Sequence, residues 1–146
     1  MDLDIRKSFP RMLLQICKDN HLISEKLEEY TMAGDEVVKQ ILDDQHKQNG
    51  RVPLISEDVK KAFLVSLHCG DYKYNVTQGR ALKPLDEFTT EIRRVATRLY
   101  SLAAYKSVRD HVETHKTESE NRLGSFISLI CQDMESSAHM KKAKKV

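Results

Sequence analysis

Six apolar side chains, Leu85, Phe88, Ile92, Val95, Leu99 and Leu102, follow one another at spacings of 3, 4, 3, 4 and 3 residues. Only an α-helix brings such positions onto one face, because its 3.6-residue period superposes i, i+3, i+4 and i+7. A helix with one greasy side must bury it against neighbouring helices. The seam therefore predicts a long central helix over about 84–106, opened by Pro84 at its first position, where a missing N–H costs nothing.

A second stripe, Leu123, Phe126, Ile127, Ile130 and Met134, predicts a C-terminal helix over about 118–137 that packs on the first. The string Thr117-Glu118-Ser119-Glu120 before it has the form of a capping box. Pro10 sets up an earlier helix with Met12, Leu13, Ile16 and Cys17 on its face. Ser24 is placed to cap the next one, Gly34 to break or bend it, and Asp35 to start another that runs out before an Asn49-Gly50 turn. Ser56 is the expected cap of a helix whose residues Val59, Ala62, Phe63, Leu64, Val65 and Leu67 leave little polar surface, with Gly70 closing it. The expected fold is all-α: an irregular bundle of five or six helices in one domain over 1–138. Residues 1–9 read as an N-terminal arm, 70–83 as a loop, and 139–146 as a basic flexible tail carrying Lys141, Lys142, Lys144 and Lys145.

Composition supports that class. Only 5 Gly and 3 Pro among 146 residues leave few turn signals for a strand-rich fold. The 24 basic and 22 acidic side chains nearly cancel to +2, so the molecule as a whole is not an electrostatic nucleic-acid binder. The three cysteines, Cys17, Cys69 and Cys131, are far apart and form no CxxC pair, which points to the reducing cytoplasm or nucleus. The acidic start Met1-Asp2-Leu3-Asp4 lacks the basic character of a secretion signal, and no apolar run reaches the ~18 residues of a membrane span.

Several constellations carry possible chemistry. His111 and His115 share a helix face at i, i+4, the spacing of two zinc ligands, but the string His-Val-Glu-Thr-His does not put a Glu directly after the first His, as a zincin requires. No metal and no cofactor is expected. The segment Arg109-Asp110-His111-Val112-Glu113-Thr114-His115 resembles the HEPN family of helical-bundle ribonucleases, in which an Arg and a His four to six residues apart stand at the start of a late helix. That resemblance implies a metal-independent cleavage of RNA, with Arg109 holding the phosphate and His115 moving the proton of the ribose 2′-OH. The alternative for the same residues is a salt-bridged helix end.

Arg80, Lys83, Arg93, Arg94 and Arg98 make the middle of the chain locally basic, either as a solvated helix face or as a patch for phosphate or an acidic partner. Tyr72 and Tyr74 flank Lys73 in the manner of base-stacking aromatics, or pack onto a helix. There is no Gly-rich phosphate loop and no nucleophile motif. The expectation is a non-catalytic intracellular helical module (an adaptor, a regulator or a small subunit of a larger assembly) that binds another protein or a second copy of itself. RNA binding through the Arg face is the alternative and the ribonuclease the third reading. No small-molecule substrate is indicated.

Overall fold

In the computed structural model, which describes residues 2–46, 54–117 and 120–144, the seam becomes the centre of an all-α bundle with no strand among the described residues. The helices are α1 (Asp2–Asp19), α2 (Glu25–His46), α3 (Ser56–Leu67), α4 (Lys83–Tyr100), α5 (Lys106–His115) and α6 (Arg122–Lys144). Helix α4 touches α2, α3 and α6, and α6 in turn touches α1 and α5. The seam residues Leu85, Phe88, Ile92, Val95 and Leu99 are 0–1% exposed, and Phe126 and Ile127 of α6 are fully buried against them. On the other side Tyr30 stacks on Phe63 at 4.5 Å, and Phe88 meets both rings edge-on at 5.4 and 4.9 Å. Aromatic pairs in these arrangements stabilise beyond their buried area.

Several boundaries differ from the sequence reading. Residues 2–9 continue α1 rather than forming an arm, and Pro10 lies buried inside the helix. The interruption expected at Gly34 falls one residue earlier, at Ala33 (φ −138°, ψ 42°), whose non-helical backbone kinks α2 between its two halves. Helix α4 stops at Tyr100, short of residue 106. A 3₁₀ turn, Ala103–Tyr105, separates it from α5, so Leu102 lies beyond the seam helix. The loop over 70–83 contains one π-type turn, Lys73–Thr77. Helix α6 starts four residues later than read and runs through 139–144, where a flexible tail was expected. The Asn49-Gly50 turn, the side chains of Glu118 and Ser119, and those of the Lys-rich tail lie outside the described residues.

The helix ends explain how the bundle is pinned. Both α1 and α3 close in Schellman form, with a left-handed non-glycine residue after the cap. His21 (φ 59°) follows α1, where the Leu22 N–H donates to the Cys17 carbonyl at 2.8 Å. Cys69 (φ 59°) follows α3, where the Gly70 N–H donates to the Val65 carbonyl at 2.9 Å. Gly70, read as the helix stop, takes the next position instead, because a Cβ there would stand 2.8 Å from Val65 Cγ1.

The start of α2 is capped from another helix. Ser24, the expected cap, is buried beside the Cys17 thiol. The Glu91 carboxylate, 9% exposed on α4, accepts the Lys26 N–H at 3.0 Å and the Leu27 N–H at 2.7 Å. It thereby satisfies two of the donors that every helix N-terminus leaves open. At α3 the Ser56 hydroxyl is likewise not the cap: the Asp58 carboxylate accepts the Ile55 N–H at 3.2 Å.

Candidate functional site: a histidine-lined cleft

Where the end of α3, the end of α5 and the first turns of α6 meet, a cleft of about 480 Å³ opens to solvent. Its polar lining comes from His68, His111, His115, Lys116, Asn121, Ser125 and Ser128. Helical spacing puts His111 and His115 one turn apart, with ring centroids at 4.2 Å. The His115 Nδ1 lies 2.9 Å from the His111 carbonyl oxygen. A carbonyl can only accept, so Nδ1 carries the proton and Nε2 is the free nitrogen. The His68 ring lies 4.6 Å from that of Phe9 at a tilt of 41°, and its Nδ1 is 3.2 Å from the Ser128 hydroxyl. Partial burial lowers the pKa of His68 below its usual 6.5, favouring the neutral ring.

The wall is closed by a tight contact. Asn121 accepts the Gly124 N–H at 2.9 Å and so caps α6, while its amide donates to the His68 carbonyl at 2.7 Å. A Cβ on Gly124 would lie 2.2 Å from that same carbonyl oxygen, so only glycine lets α6 approach α3 this closely. Of the expected capping box, the Glu120 carboxylate accepts the Thr117 N–H at 3.2 Å, ahead of the start of α6.

The remaining sequence candidates do not converge here. Arg109, paired with His115 in the ribonuclease reading, does not line the cleft. Six residues on one helix are rotated about 120° from each other, and the Arg109 guanidinium instead donates to the Tyr100 carbonyl at 2.7 Å. It thus closes the end of α4 and lies over the Tyr100 ring at 6.0 Å.

The basic residues are similarly engaged. Arg93 donates to the Cys69 carbonyl at 3.2 Å, and Arg94 to the Ile23 carbonyl at 2.8 Å, beside Glu91. Arg80 donates to Gln45 at 3.3 Å. The Lys83 and Arg98 side chains are exposed and make no hydrogen bond or ion pair among the described residues. Tyr72, read as a stacking aromatic, is 2% exposed. Its hydroxyl donates to Asp86 and accepts the Leu82 N–H at 2.8 Å, tying the segment before α4 to the core. Tyr74 is 84% exposed. A smaller recess of about 330 Å³ beside Lys73 and Arg93 also carries Asp71 and Asp86, so it presents both signs of charge.

Among the described residues no group of three His, Cys, Asp or Glu side chains stands close enough to hold a metal ion, and no helix is long and apolar enough to cross a membrane. The three thiols are buried and unpaired, and burial pushes Cys17 and Cys69 up to about 11 and Cys131 to about 12. They are poor nucleophiles in this state.

No family model matches the chain, and no solved structure does. A protein of Sputnik virophage named "Putative helicase V13" is 24% identical over 149 aligned positions, which take in 96% of this chain. The chain spans only 18% of that relative's length. None of the five glycines is placed to form G-x-x-x-x-G-K-[S/T], the phosphate-cradling loop of a nucleotide-driven motor.

Proposed function

We propose that this chain is a non-catalytic helical module, residing in the cytoplasm or nucleus, that docks a protein partner within a nucleic-acid-processing assembly. The observation that carries the reading is a division of labour among the side chains. Four of the six candidate cations on the basic stretch and in the ribonuclease motif bond with the chain's own turns and helix ends: Arg80, Arg93, Arg94 and Arg109. Meanwhile Ile23, Met32, Ile55 and Tyr74 remain 60–84% exposed, which is apolar surface that a partner would cover. The likeness to a protein named as a helicase supports the setting, and it covers less than a fifth of that protein.

A second reading, direct binding of nucleic acid, draws on the same likeness and on the exposed Lys83 and Arg98. Affinity capture from the native cell, with and without nuclease, separates the two. The expected result is one stoichiometric protein partner that survives nuclease and is lost with Met32→Glu or Tyr74→Glu while circular dichroism stays unchanged. Capture that vanishes on nuclease treatment and steeply with salt overturns the docking reading in favour of the second.

A further inference from the structure

We infer that the histidine-lined cleft is a binding site for a phosphate group carried by a small molecule, such as a phosphate monoester. The inference rests on which side chains line the cleft and which do not. Three imidazoles, the Lys116 ammonium and two hydroxyls face a space of about 480 Å³, and no carboxylate lines it. That volume holds a phosphate with room for a further group. Two of the three acids nearest in sequence are directed elsewhere: Asp110 pairs with Lys106 at 3.0 Å and Glu113 acts on the Tyr100 hydroxyl. The third, Glu120, pairs with Lys116 at 3.8 Å, both side chains being more than a third exposed, so a phosphate competes with it for that ammonium. Arg122 turns away to the Lys116 carbonyl at 3.0 Å.

The first turn of α6 is not the source of the site, since its Gly124 N–H is already taken by Asn121. The side chains carry it. The Ser125 hydroxyl makes no hydrogen bond among the described residues, and His115 presents its Nε2 free. A neutral His115 offers a lone pair at that atom, which matches the O–H of a singly protonated phosphate. A charged His115 offers an N–H, which matches the dianion. In either form one proton lies between Nε2 and a phosphate oxygen. Lys116 adds a charge-assisted donor and Ser125 a neutral one. A cation is the wrong occupant, because no three ligands converge.

The test is a titration of the purified chain with inorganic phosphate, and separately with a nucleoside 5′-monophosphate, at fixed ionic strength and pH near 6.5. Imidazole resonances of His68, His111 and His115 are followed, with the exposed His21 as internal control. The expected result is saturable shifts confined to the three cleft histidines, with a Kd of about 1 mM. Lys116→Ala and Ser125→Ala should each weaken binding several-fold while leaving the melting curve in place. Equal affinity for the two probes assigns recognition to the phosphate alone, and tighter binding of the nucleotide adds a contact from its nucleoside. Shifts that grow linearly with concentration, that appear equally at His21, or that chloride reproduces, overturn the inference.

Discussion

Truncation of Glu91 tests the claim that a residue on α4 holds the start of α2. In Glu91→Ala two donors lose their acceptor. The Lys26 N–H, bonded at 3.0 Å in a partly buried setting, can be reached by water and loses little more than a cap, about 1 kcal/mol. The Leu27 N–H, bonded at 2.7 Å in a residue with no exposed surface, has no such recourse, and an orphaned buried donor costs about 1–3 kcal/mol. Removal of a negative charge from the positive end of a 22-residue helix adds a few tenths. The sum is about 2–4 kcal/mol, which in a domain of this size lowers the melting temperature by roughly 5–15 °C.

Glu87, one turn earlier, supplies the control. Its 3.3 Å pair with Lys26 has both side chains more than 40% exposed, and Glu87→Ala should move the melt by no more than about 0.5 kcal/mol. Hydrogen exchange reads the cap locally: the Lys26 and Leu27 amides should be protected in the native protein and exchange faster in Glu91→Ala. If Glu91→Ala melts like Glu87→Ala and those amides keep their protection, the inter-helix cap is refuted.

Three further outcomes follow from the same geometry. His21, exposed at φ 59° after α1, should be stabilised on replacement by glycine by about 0.5–1 kcal/mol in a denaturant melt, because glycine adopts that conformation without cost. Gly124→Ala should destabilise by about 1–3 kcal/mol and shift the His68 resonances, since the new Cβ would lie 2.2 Å from the His68 carbonyl oxygen. The pKa of His68 is lowered by burial from 6.5, so the unfolded chain takes up that proton before the folded one. Its contribution to stability is therefore intact above pH 6.5 and declines as pH falls through the interval down to its folded pKa, which thermal melts of wild type and His68→Gln across pH 5–8 would read as a shallower acid decline in the variant.

The parts of this fold legible in the sequence are those written in a single helix. The period of 3.6 residues placed Leu85 to Leu99 and Phe126 to Ile130 inside correctly, because burying one face is a property of the helix itself. Helix ends were read less well, and each error has the same origin. Local sequence preference marks Ser24, Ser56 and the Thr117 box as caps. In the folded chain Glu91 replaces the first across 64 residues, Asp58 the second, and Asn121 the third. The open N–H groups of a helix N-terminus donate to any oxygen that packing delivers, and packing is not written locally.

The cleft was illegible for a related reason. His111 and His115 are visible as an i, i+4 pair, but His68 joins them only because Gly124 admits the α3 carbonyl against α6. Nothing in the neighbourhood of any one of these residues marks the encounter. The reverse holds for Arg109. Its spacing from His115 has the form of a reaction centre, yet a 3₁₀ turn after α4 leaves the Tyr100 carbonyl within its reach, and a carbonyl at a helix end binds a guanidinium strongly. The same need for donors at open carbonyls draws Arg93 to the end of α3 and Arg94 to the turn after α1. In a bundle with short connections, then, an arginine near a helix end is first a clasp for that end, and it becomes a ligand-binding group only where its remaining N–H groups face an open cleft.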